Sequence, residues 1–161
     1  QDVPGAGLLY DLGSHLIDQA LVAFNAVPDR VFCDQTIQRQ GGIVDDYTHL
    51  ILAFGTRRAI LHIGSIVPAV GPSLMVHGTK ASYFVDEVDT KRATYQLAEA
   101  NGPLEDFPFV SGQFGDYYTD LAPAIRQRTT PPVSPKQAEL VMKIIDRAQK
   151  SAKSGTWIEV D

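Results

Sequence analysis

The sequence predicts an α+β fold with a largely antiparallel open sheet and helices on one face. Three observations point there. One helical apolar stripe opens the chain, a run of short apolar strands separated by glycine turns follows, and two further helices close it. At 161 residues with 44% hydrophobic residues, the chain is long enough to bury a core of its own, and we expect one domain over 1–161.

The first helix is expected over about 9–25. Leu9, Leu12, Leu16, Ala20 and Ala23 recur at helical spacing, and Ile17, Leu21 and Phe24 widen the stripe. Gly13 inside it costs about 1 kcal/mol against alanine, which implies close approach of another backbone or a ligand. Residues 30–39 read as a strand ended by Gly41-Gly42. Residues 46–54 and 58–67 form a hairpin around Gly55-Thr56, and 73–77 and 81–86 a second around Gly78-Thr79-Lys80. A weaker strand is expected at 92–97 and a loop over 100–114. A helix follows over about 115–128, with Pro123 inside it as a place where a helix can kink or stop. Another begins after Ser134, an N-cap followed by Pro135, with Ala138, Val141, Ile144, Ile145 and Ala148 as its stripe and Gly155 as its stop. Residues 157–160 read as a last strand. Strands this apolar leave a second sheet face to cover, and a partner subunit suits it.

The charge balance, 14 − 19 = −5, argues against nucleic acid or an anionic membrane surface as partner. No apolar run approaches the roughly 20 residues of a membrane span, and no basic segment leads into an apolar one at the start. A single cysteine, Cys33, excludes an internal disulfide and fits a cytoplasmic protein.

The chemistry centres on Asp11, His15 and Asp18, at i, i+4 and i+7. They project within about 60° of one another, opposite the apolar stripe. A carboxylate one turn from an imidazole can orient it and raise its basicity, as a general base requires. The same pattern also describes an ordinary solvated helix face. Gly5-Ala6-Gly7 is a partial dinucleotide fingerprint, without its third glycine or a preceding strand, and reads as a flexible helix entry. His15, His49, His62 and His77 lack the spacing of a metal site, and no metal is expected, although His49 and His62 sit in facing strands. Phe107, Phe109, Phe114, Tyr117 and Tyr118 read as core packing before they read as a sugar platform.

The segment Gly7-Leu8-Leu9-Tyr10-Asp11-Leu12-Gly13-Ser14-His15-Leu16-Ile17-Asp18 closely resembles the signature helix of the glucose–fructose oxidoreductase, inositol dehydrogenase and rhizopine-catabolism (Gfo/Idh/MocA) family. Pro28-Asp29-Arg30-Val31, Asp45-Asp46 and Val76-His77-Gly78-Thr79-Lys80-Ala81-Ser82 resemble later parts of its C-terminal domain, so the resemblance covers essentially the whole chain. It implies a substrate-binding and dimerising domain that works beside a Rossmann domain carrying NAD or NADP. Hydride would pass between the nicotinamide and a carbinol carbon of a sugar, cyclitol or related polyol. His15 would act as acid/base on the reacting hydroxyl, and Asp11 would contact substrate and support His15. The family's Glu-Lys-Pro motif and its glycine-loop cofactor site do not occur here. The expectation is therefore a C-terminal segment of a longer oxidoreductase, inactive alone and dimeric or higher through the sheet face. The alternative is a non-catalytic carbohydrate-binding or dimerisation module; a metal-dependent isomerase is a third reading.

Overall fold

The computed structural model describes residues 5–68, 71–86, 92–98, 103–108 and 115–161. It is α+β, with three helices and two antiparallel four-stranded sheets among the described residues. The chain falls into two compact units, one from residues up to 66 together with 133–161, the other from 67–132.

The first unit holds α1 (Leu8–Phe24), β1 (Arg30–Thr36), β2 (Tyr47–Phe54) and β3 (Arg57–Gly64). In the second unit lie β4 (Leu74–His77), β5 (Ala81–Val85), β6 (Ala93–Leu97), β7 (Glu105–Phe107) and α2 (Asp116–Gln127). The chain then returns to the first unit with α3 (Pro135–Ser154) and β8 (Ile158–Glu159).

The sheet of the first unit has the order β3-β2-β1-β8. Its register places Thr48 opposite Ile63, Leu50 opposite Leu61 and Leu52 opposite Ala59. Val31, Cys33, Thr48, Leu50, Leu52 and Ile63 are buried against α1 and α3, which cover this face. From the helices come Leu9, Ile17 and Ala20 on α1 and Val141, Ile144, Ile145 and Ala148 on α3. The alternate residues make the other face, where Ile51 meets Ile60 and His49 meets His62. Those two imidazoles lie 5.9 Å apart, so the expected cross-strand histidine pair is present.

The helix ends follow their sequence signals. Ser134 caps α3 with a full capping box through Gln137, and Gly155 ends it in the left-handed region at φ 67°. At the β2–β3 turn Gly55 has φ 60°, and its N–H donates to the Asp29 carboxylate, which ties the turn to the start of β1.

β8 is paired with β1 only at Arg30 and Val31. Past that point the buried Ser151 of α3 takes over: its Oγ accepts from the Cys33 N–H at 2.9 Å and donates to the Thr156 carbonyl at 2.6 Å. Ser151→Ala would leave the buried Cys33 N–H without its acceptor. We expect it to cost about 1–3 kcal/mol, read as a lower urea midpoint with an unchanged slope.

Two features differ from the expectation. Leu12 and Ala23 are exposed, and Gly13 takes the central buried position of α1. A Cβ there would stand 3.3 Å from the Ile63 Cδ1 of β3 and 3.0 Å from the Leu9 side chain, so Gly13 serves helix–sheet packing rather than ligand approach. The stretch expected as loop contains β7, paired with β6 through Ala93–Phe107 and Tyr95–Glu105. The expected helix over about 115–128 is present as α2, with Pro123 inside it.

In the second unit, Val85, Ala93 and Thr94 are buried, and Phe107 makes edge contacts with Tyr83 and Tyr95. Phe107, Tyr117 and Tyr118 are exposed, which corrects the reading of these aromatics as core; Phe109 and Phe114 lie outside the described residues.

Candidate active site

The helix that carries Asp11 and His15 lacks its own cap. Its N-cap is Gly7, which offers no side chain to the first N–H groups. Asp45, just before β2, does so instead: its backbone carbonyl accepts from the Leu8 N–H at 3.2 Å and its Oδ2 from the Leu9 N–H at 2.8 Å. Gly7 has φ 103° and ψ 165°, and a Cβ there would overlap the Asp45 carboxylate. The glycine is thus demanded twice, by backbone conformation and by the neighbouring carboxylate.

Asp46 holds the neighbouring turn. It is buried, and its carboxylate accepts from the Gln38 N–H at 2.6 Å and the Arg39 N–H at 3.0 Å. The Gln38 N–H is the largest influence holding the Asp46 carboxyl below the usual range, with help from Arg39. Its backbone adds two further ties, Asp46 N–H to the Thr36 carbonyl and Ser65 N–H to the Asp46 carbonyl.

Asp11, His15 and Asp18 are all exposed, on the face of α1 turned away from its sheet. Asp11 sits in the first turn, where a carboxylate also complements the helix dipole. The Ser14 hydroxyl donates to the Asp11 carbonyl at 3.1 Å, which turns it into the helix backbone. No hydrogen bond joins the Asp11 carboxylate to His15 among the described residues. Asp11 lines an open cleft with Tyr10, Arg39, Asp45, Asp46 and Ser65. A second cleft shares Gly5, Ala6, Tyr10, Val44 and Asp45 with the first and adds Gln149 and Lys153 of α3. His15 lies one turn along from these walls.

The remaining candidates stay apart from this helix face. Cys33 is buried and its thiol is pushed up to about 12, chiefly by desolvation and secondarily by Asp34 and Asp45, so it is a poor nucleophile. His77 Nδ1 is 3.0 Å from the Ser82 Oγ across the β4–β5 hairpin. Among the described residues no three His, Cys, Asp or Glu side chains gather as a metal site would require, and no helix is long and apolar enough to cross a membrane.

The Gly5–Gly7 entry does not fit a dinucleotide phosphate. Such an anion needs free N–H groups at the helix start. Here the Leu9 N–H is already taken by a carboxylate, whose charge repels phosphate. Sequence reasoning singled out Asp11 and His15 but missed Asp45 as the group that fixes their helix. Only the Asp45-Asp46 doublet ahead of an apolar strand hinted at it.

Fold and site together describe an α+β domain that presents an Asp–His helix face beside an open cleft. A family model described as "Oxidoreductase family, C-terminal alpha/beta domain" matches residues 1–160, and the chain belongs to this Gfo/Idh/MocA oxidoreductase family as its C-terminal domain. It is 34% identical to scyllo-inositol 2-dehydrogenase (NADP(+)) IolW of Bacillus subtilis, over 96% of this chain and 49% of that protein. It is 30% identical to the uncharacterized oxidoreductase YdgJ of Escherichia coli, over 95% of this chain and 50% of that protein. The solved structure of YvaA from Bacillus subtilis superposes with a TM-score of 0.88 at 32% identity, covering 99% of this chain and 53% of that one. The chain therefore spans about half the length of the curated relatives it matches.

Proposed function

We propose that residues 1–161 act as one substrate-binding and oligomerising domain of an NAD(P)-dependent dehydrogenase whose substrate is a polyol, such as an inositol or a sugar. The observation that carries this reading is the exposed Asp11–His15 face beside an open cleft, on the helix whose sequence bears the family signature. The similarity to a scyllo-inositol dehydrogenase favours a cyclitol within that class. In this reading a His15 ring nitrogen takes the proton from the reacting hydroxyl, and the Asp11 carboxylate binds a substrate hydroxyl and supports the imidazole. The dinucleotide is NAD or NADP, held mainly by residues other than these. Alone, this chain would neither bind it nor turn over. The test is turnover of scyllo-inositol and related polyols by the full-length protein, with and without His15.

The sheet face opposite the helices supports a homodimer as part of the same proposal. It exposes Ile60, with Phe32, Ile51 and Trp157 beside it, and the Arg30 and Arg58 guanidinium groups lie over the Trp157 ring at 4.7 and 5.9 Å. A partner would cover apolar surface there, against guanidinium groups already stacked on an aromatic ring. Ile60→Asp is expected to convert a dimer to a monomer at about 10 μM, read by sedimentation. A parent protein already monomeric at that concentration would overturn the dimer.

The same face favours a second reading, a dimerisation module without chemistry. Full-length protein with an intact dimer and no polyol oxidation with either dinucleotide would support it.

A further inference from the structure

We infer that Asp45 is a positioning residue for the Asp11–His15 pair, a role that rests on the proposed function of that pair. A helix start leaves several N–H groups without partners, and α1 begins at a glycine that cannot cap them. Asp45, 36 residues further along the chain, takes the Leu8 N–H on its carbonyl and the Leu9 N–H on Oδ2. The Asp11 N–H closes the first turn on the Gly7 carbonyl at 3.1 Å, so Asp11 follows directly upon this anchor.

The anchor is itself held. The Thr48 hydroxyl donates to the Asp45 Oδ2 at 3.3 Å, and Thr48 is fully buried. Asp46 ties the same stretch of backbone to Thr36, to Gln38 and Arg39, and to Ser65. The height and rotation of α1 over its sheet are therefore set at Asp45. A helix that slides or turns there carries Asp11 and His15 with it, and a misplacement of about 1 Å is enough to cost about 100-fold in rate. The Oδ2 of Asp45 is occupied by Leu9 and Thr48 and its other oxygen is packed on Gly7, so Asp45 acts through the helix rather than on substrate.

Asp45→Asn and Asp45→Glu separate position from charge. Asparagine keeps an acceptor oxygen in the same place; glutamate keeps the charge but moves it by a methylene against Gly7. In the full-length oxidoreductase, Asp45→Asn should hold the polyol kcat within about threefold of the parent, whereas Asp45→Glu should lower it about tenfold or more, with the dinucleotide KM unchanged in both. In the chain described here, exchange of the Leu9 amide should accelerate in Asp45→Glu and not in Asp45→Asn. The reverse order, with glutamate active and asparagine impaired, would overturn positioning in favour of charge. Equal kcat in both variants with a faster Leu9 amide in Asp45→Glu would show that the anchor does not govern the pair. A His15→Ala protein that remained fully active would instead sink the reading of the site itself, so the two failures are distinguishable.

Discussion

His15→Ala in the full-length protein is expected to lower kcat for polyol oxidation by about 10²–10⁴-fold, the range for removal of a positioned general base. His15 is exposed on the outward face of α1, and its position two turns from the Asp45 anchor gives it a defined height above the cleft edge. Asp18 shares the stripe, is equally exposed and lies one turn further on. Asp18→Asn is accordingly expected to leave kcat within about twofold, the change of one surface charge in water being small. A rate loss in His15→Ala with the dinucleotide KM intact places the effect on the substrate side. Activity of His15→Ala within twofold of the parent would remove the general-base role and leave the polar stripe as a solvated face.

The part of this site that could be read from the chain was its angular position. Helical periodicity puts Asp11, His15 and Asp18 on one face, and the structure finds all three exposed there. The strands were legible for the same reason: alternation and the Gly55-Thr56 turn determine which face of β2 and β3 is buried. Where the reading failed, side-chain type and burial parted company. Leu12 is apolar and exposed, while Gly13 has no side chain and is buried where a Cβ would press on Ile63 of β3. β7 is three residues long, two of them acidic, and only its pairing with β6 makes it a strand. Asp45 and Ser151 act across 36 and 118 positions of sequence, and no local pattern reports such a partnership. The family signature could point to the candidate helix; it could not show what holds that helix in place.

Gly7→Ala tests that hold from its other side and should be strongly destabilising. At φ 103° and ψ 165° the residue occupies a region that is essentially reserved for glycine, so an alanine there costs about 1–3 kcal/mol in backbone strain. Its Cβ would also overlap the Asp45 carboxylate, which has to withdraw and leave the Leu9 N–H without its acceptor; that adds about 1–3 kcal/mol more. Gly5 supplies the control. It has φ 85°, but a Cβ there meets nothing within 4 Å, so Gly5→Ala pays strain alone. Urea unfolding should therefore rank the midpoints parent, then Gly5→Ala, then Gly7→Ala, with the second step at least as large as the first. Equal midpoints for the two variants would mean that the Asp45 contact contributes nothing. If the order holds, the functional consequence follows from the geometry: the glycine that opens the signature helix is there so that a carboxylate can come close enough to cap it, and the position of His15 depends on that approach.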